Sequence, residues 1–322
     1  MTVPMGVRRK QRRMCGRPPL IVLGAHRSGT TLAVRLLEKL GVFMGSNQDA
    51  NGEPYYFARR NEWALRRAGG AWDHPLPLQS FLRDRALLEA MQDVLAVEIA
   101  SLRFAGFTGP GRFLRTLGSR SDRQPWGWKD PRNTFTLPLW SRIFPGARLL
   151  LVERNGVDAA QSLHVREREA RRRAAGDLHL RMSPLPRRLF QAPALNDRLE
   201  PYFTFSPRLS SWEGAFGLWE EYVAEGRAQL DAHDGPSFRL RYEDLLREPL
   251  EQLAGLAGFC GLEPSREELE GACQELATDR GFAFTADADL LARYQSVQGS
   301  RWMRELGYDQ LPVTASARPA AR

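Results

Sequence analysis

Cysteine is scarce in this chain: Cys15, Cys260 and Cys273 are the only three, odd in number and far apart. That excludes a disulfide framework and any metal site built on paired thiolates. The histidines, His26, His74, His164, His179 and His233, show no spacing that places two on one helix face, so no metal is expected. No window approaches the roughly 20 apolar residues of a membrane span, so no transmembrane segment is expected. The apolar run behind the basic N-terminus, PPLIVLG, is too short for the core of a signal peptide, and the cytoplasm is the default expectation. Net charge is missing from the body of the chain. Arg8, Arg9, Lys10, Arg12, Arg13, Arg17, Arg318 and Arg322 account for the whole formal charge of +8. Positive potential at any site must therefore come from local clustering and helix ends rather than from a field of the whole molecule. The basic N-terminal run reads as a solvated arm, and no nucleic-acid partner is expected.

What is present belongs to a globular protein: 43% apolar and 26% charged residues. Four short apolar runs read as buried strands: 20–24 (LIVLG), 125–129 (PWGWK), 147–154 (ARLLLVER) and 237–242 (SFRLRY). They lack alternation and are separated by helical patterns, which argues for a parallel sheet covered on both faces. The expected fold is α/β, a P-loop-like three-layer arrangement with a central parallel sheet of four to five strands flanked by helices. A basic helix after the third strand is expected to stop at Gly176, and Ser265 with Glu268 forms a capping-box signature. The organisation expected is an arm over 1–18, one domain over 19–310 and a tail over 311–322. Residues 177–210, rich in proline and arginine, read as an inserted lid.

The first strand runs into GAHRSGTT, residues 24–31. Its spacing is that of the phosphate loop G-x-x-x-x-G-K-[ST], but Thr30 stands where the lysine would be. Strand, glycine turn and helix N-terminus still present amide groups and the positive helix end to an anion, and Ser28, Thr30 and Thr31 add hydroxyl donors. The third strand ends in Glu153 and Arg154, which provides poorly for the magnesium of an ATPase. Arg27 inside the loop suits a donor whose linked anionic groups are held by protein charge.

GAHRSGTTL resembles the 5′-phosphosulfate loop of sulfotransferases that use 3′-phosphoadenosine 5′-phosphosulfate (PAPS), where Gly-x-x-(Arg/Lys)-Ser-Gly-Thr-(Thr/Ser) is usual. Residues 129–163 resemble the middle block of that family and 240–263 its later strand and helix, in the same order. The resemblance implies PAPS as donor co-substrate, no metal, and an acceptor of unknown identity bearing a hydroxyl group. It implies a donor site made of Gly24, His26, Arg27, Ser28, Gly29, Thr30 and Thr31, with Arg154 and Ser162 on the 3′-phosphate. Tyr242 lies near the nucleotide by the same resemblance, and Arg301, in a closing block like that of some bacterial members, is carried over to the 3′-phosphate. Lys129 resembles the lysine that tyrosylprotein sulfotransferases place near the bridging oxygen, with Asp130 either orienting it or forming a surface pair. Glu53, in NGEPYYFARRN, resembles the glutamate base of sugar-type and tyrosylprotein members; His26 or His74 serve instead if the loop geometry differs. Trp128 either stacks on the adenine or packs in the core. Alternatives to the enzyme are a P-loop small-molecule kinase and a non-catalytic nucleotide- or nucleic-acid-binding module.

Overall fold

The computed structural model describes residues 17–117, 124–181, 206–274, 276–277 and 280–310, with side chains described except at 115–117 and 173–181. Four strands form one sheet in the order β2-β1-β3-β4, every neighbouring pair parallel. β1 (Leu20–Gly24) is buried throughout its length between β2 (Gly127–Lys129) and β3 (Arg148–Glu153), and β4 (Ser237–Arg241) forms an edge. Successive residues of a strand point to opposite faces. Thus Ile21, Leu23, Leu149 and Leu151 join the core on one side, while Leu20, Val22, Leu150, Val152 and Leu240 join it on the other. A sheet covered on both faces has to be apolar on both, which is why β1 and the middle of β3 read as unbroken apolar runs.

Between β1 and β2 come α1 (Thr30–Lys39), α2 (Tyr55–Arg67), α3 (Leu76–Leu82), α4 (Arg85–Ala100), α5 (Ala105–Thr108) and α6 (Pro110–Leu117). α7 (Asn133–Ser141) links β2 to β3, and α8 (Gly156–Arg181) and α9 (Trp212–Asp231) link β3 to β4. α10 (Tyr242–Arg247), α11 (Pro249–Phe259), α12 (Arg266–Cys273), α13 (Ala288–Val297) and α14 (Arg301–Glu305) follow β4. Helices α1, α10, α11 and α12 cover one face; α2, α4, α7, α8 and α9 cover the other with an aromatic-rich layer. The chain leaves β1 for β2 on one side and crosses to β3 on the other. The C-terminal end of β1 is therefore a topological switch point, where an open α/β sheet leaves a crevice for ligands.

Three expectations need correction. α8 does not stop at Gly176 but continues to Arg181, since one glycine costs a helix only about 1 kcal/mol against alanine. β4 is not a buried strand: only Leu240 of its five residues is buried, because it sits at the sheet edge. Tyr242 opens α10 rather than ending β4. The capping box at Ser265 and Glu268 forms, with both reciprocal bonds. Of the expected lid, 177–181 belong to α8, and Ser206 is buried with its N–H on Glu167 Oε1 at 3.0 Å. Residues 182–205 lie outside the described residues, as do Cys15 with the rest of 1–16 and the tail 311–322. Among the described residues no helix is long and apolar enough to cross a membrane.

Candidate active site

The loop after β1 is strained in the way a tight anion cradle requires. Gly24 (φ 140°) donates its N–H to Thr134 Oγ1 at 3.2 Å, and a Cβ there would lie 2.5 Å from the Val152 carbonyl oxygen. Arg27 holds φ 67°, a left-handed backbone uncommon outside glycine. Gly29 (φ 96°) packs so closely on the Tyr242 ring that a Cβ would meet it at 2.3 Å. α1 then begins with no side chain capping it, so its first amides remain for a ligand.

Three arginines converge on this loop. Arg154, the residue after β3, lies over the Tyr242 ring at 4.4 Å and donates to the carbonyl oxygens of Arg27 (3.2 Å) and Arg280 (3.3 Å). It also pairs with Asp158 at 3.5 Å. Arg27 Nε donates to Ser162 Oγ at 2.8 Å, so Arg154 and Ser162 reach one place through Arg27. Burial and the charges of Arg154 and Arg280 push the Arg27 pKa below its ordinary value. Arg280 carried no sequence signal. It arrives because Asp158 accepts the backbone N–H groups of Ala283 (3.1 Å) and Phe284 (2.9 Å), folding that segment over the loop.

At the end of β2, Lys129 donates to Glu53 Oε1 at 3.0 Å, and Arg132 lies 3.5 Å from Glu53 Oε2. Lys129 is 1% exposed and Glu53 13%. Glu53 is placed by a tight loop in which its N–H donates to Asp49 Oδ1 at 2.8 Å. Burial, then the Asp130 charge, push the Glu53 pKa above the usual carboxylate range, while Lys129 and Arg132 pull it back.

Two cavities meet here. One, of 520 Å³, is lined by the loop, Lys129, Arg154, Tyr242 and Arg280; the other, of 1010 Å³, by one face of α2 with Trp72, Arg132 and Arg166. His26, Asn51, Glu53 and Arg166 line both. A carboxylate of raised pKa beside a buried ammonium, at the junction of an arginine-lined cavity and a second open one, is equipped to take a proton while an anionic group is transferred.

Residues 18–188 match the sulfotransferase family. The chain belongs to that family. Similar solved structures include the sulfotransferase domain from the curacin biosynthetic pathway (16% identity, 82% of this chain and 80% of that one, TM-score 0.44). Others are the sulfotransferase domain of the Synechococcus PCC 7002 olefin synthase (17%, 92% and 96%, TM-score 0.43) and sulfotransferase STF9 of Mycobacterium avium (17%, 92% and 81%, TM-score 0.42). A search of curated proteins finds no match.

The remaining residues of this sulfotransferase sort themselves by position. His26 packs edge-on against Trp72 (4.8 Å) and Tyr222 (5.3 Å). Tyr222 Oη gives its proton to the Trp72 carbonyl at 2.7 Å and lies 3.3 Å from His26 Nε2, so that nitrogen carries the hydrogen and donates to the phenol oxygen. Burial, then the surrounding cations led by Arg166, hold the His26 pKa well below the ordinary histidine value. His74 is exposed in a tight turn with Ala71 and lines neither cavity. The structure does not bring Arg301 to the loop: it pairs with Glu305 at 2.6 Å and lies over Trp302. Trp128 is core, stacked on Phe57 at 3.9 Å. Asp130 makes no hydrogen bond or ion pair with Lys129 among the described residues and forms no surface pair; it is fully buried and binds Arg132 Nε (2.8 Å) and Asn61 Nδ2 (2.8 Å).

Asn61 is the hub that sequence reasoning passed over. Buried in α2, it also donates to Asn133 Oδ1 (2.8 Å) and accepts from Thr136 Oγ1 (2.8 Å) and Trp140 Nε1 (2.9 Å). Asparagine inside an apolar helix face is the one signal that could have marked it, because a buried amide needs partners.

Proposed function

We propose that this sulfotransferase moves a sulfuryl group from PAPS to an acceptor hydroxyl by in-line displacement. Glu53 takes the hydroxyl proton as the acceptor oxygen bonds to sulfur. The bond from sulfur to the phosphate oxygen breaks, and adenosine 3′,5′-bisphosphate leaves. Lys129 exchanges its Glu53 partner for the leaving oxygen, and Arg27 with the first amides of α1 holds charge on the transferring group. Arg154, Arg280 and the hydroxyl of Ser162 receive the 3′-phosphate, with Tyr242 beside the nucleotide. The residues fit such a donor: the guanidiniums of Arg27, Arg35, Arg154, Arg166 and Arg280 line one cavity, and Arg154 Nε is buried with no hydrogen-bond partner among the described residues. A dianionic ligand relieves both costs.

The observation that carries this reading is Glu53 at the junction of the two cavities, bonded to Lys129. Family membership weighs against the kinase and binding-module alternatives. The test is incubation of the purified chain with sulfur-labelled PAPS and a panel of hydroxyl acceptors. Label should pass to an acceptor with wild type and not with Glu53→Gln. Transfer that survives in Glu53→Gln, or a chain that moves phosphate from ATP instead, contradicts the proposal.

A further inference from the structure

The larger cavity holds more positive charge than its carboxylates take up. Glu62 is engaged by Arg66 (2.7 Å) and Arg132 (3.1 Å), Glu53 by Lys129 (3.0 Å), and Glu167 by Arg171 (3.1 Å) and the Ser206 N–H (3.0 Å). Asp49 accepts the backbone N–H groups of Asn51 (2.9 Å) and Glu53 (2.8 Å). Arg166, on α8, is left over: half-buried, with no hydrogen bond or ion pair among the described residues, its guanidinium 5.1 Å from the Trp72 ring. Glu53 and Glu167 act on its charge only from beyond ion-pair distance, and a guanidinium withdrawn from water without a directly bonded anion is costly, so its position favours a ligand that supplies one. Arg59 and Arg67 on α2 line the same cavity, exposed and likewise without a carboxylate among the described residues.

Two observations assign that anion to the acceptor rather than the donor. Trp72, on which Arg166 rests, lines the larger cavity and not the smaller one. Arg166 borders both cavities, but the smaller one already has Arg27, Arg35, Arg154, Arg280 and Lys129 for the donor's charge. Beside the arginines, Trp63 and Trp72 are half-buried and Tyr55 is 44% exposed, giving flat apolar faces among polar groups. Such a lining suits a ring whose faces are apolar and whose edge is polar.

We infer that the acceptor is an acidic saccharide, its carboxylate or existing sulfate bound by Arg166 while a neighbouring hydroxyl faces Glu53. The inference rests on the sulfuryl-transfer reading above and is tested apart from it. The full chain, loaded with adenosine 3′,5′-bisphosphate, is titrated by tryptophan fluorescence with a uronic-acid oligosaccharide and with the same oligosaccharide after reduction of its carboxyl groups. The acidic form should bind about tenfold tighter or better, a preference that Arg166→Gln abolishes and Arg166→Lys keeps in part. Bisphosphate binding by each variant reports folding and the donor site independently; its absence from wild type sinks the transfer reading, not merely this one. Equal binding of the two saccharides, no binding of the acidic one to loaded protein, or an unchanged preference in Arg166→Gln overturns the inference.

Discussion

Lys129 and Glu53 form a buried ion pair at the centre of the proposed transfer, and removing either partner leaves an uncompensated buried charge, which costs more than breaking a surface pair. In the proposed transfer, replacing Lys129 by alanine removes the donor to the leaving oxygen. Steady-state kinetics should then show kcat lower by roughly 10²- to 10³-fold, the cost of losing one oxyanion donor; turnover close to wild type contradicts the assignment. Glu53 must be ionised to accept a proton, and burial with the Asp130 charge raises its pKa. The acid limb of kcat/KM should therefore lie above the ordinary carboxylate value of about 4.3, with rate rising as pH passes through the raised value. In Asp130→Asn the repulsion goes and Arg132 is freed toward Glu53, so the limb should move to lower pH; a limb that stays or moves up is inconsistent with this electrostatic arrangement. The same shift has a sign for stability. The folded state holds the Glu53 proton to higher pH than the unfolded chain, so this carboxyl stabilises below the ordinary value and loses that contribution as pH rises through the raised one. His26 works oppositely, since its depressed pKa makes stability fall as pH drops below about 6.5.

At the scale of elements, β1, β2 and β3 were legible because burial on both sheet faces demands mostly apolar residues, whereas β4, an edge strand with only Leu240 buried, was read as more buried than it is. The loop was legible because glycines at 24 and 29 answer to backbone angles and close approaches that a side chain forbids. Gly29→Ala tests this: left-handed strain of about 1–3 kcal/mol adds to a clash with the Tyr242 ring. Thermal unfolding should show a lowered Tm, with a smaller loss when Tyr242→Ala opens the space; equal losses in both backgrounds exclude the ring contact as the cause. What was hidden depends on partners distant in the chain. Arg280 is placed by hydrogen bonds to Asp158, and Asn61 by residues 69 to 79 positions away, so neither shows a local pattern. Arg301 was misplaced because a basic residue near the chain's end carries no record of which way its helix faces.

For the whole molecule, the near-neutral body brings Arg27, Lys129, Arg154 and Arg280 together at the switch point of the sheet, where β1 and β2 end in Gly24 and Lys129 and Arg154 follows β3. The three-layer fold covers both sheet faces with helices and leaves, among the described residues, two meeting cavities at the strand ends, where the proposal places the donor and the acceptor. The most direct measurement is titration calorimetry of the purified chain with adenosine 3′,5′-bisphosphate. The account predicts saturable one-to-one binding that weakens at least about tenfold in the Arg27→Ala/Arg154→Ala double variant. No heat of binding in wild type, or an affinity unchanged in the double variant, contradicts it.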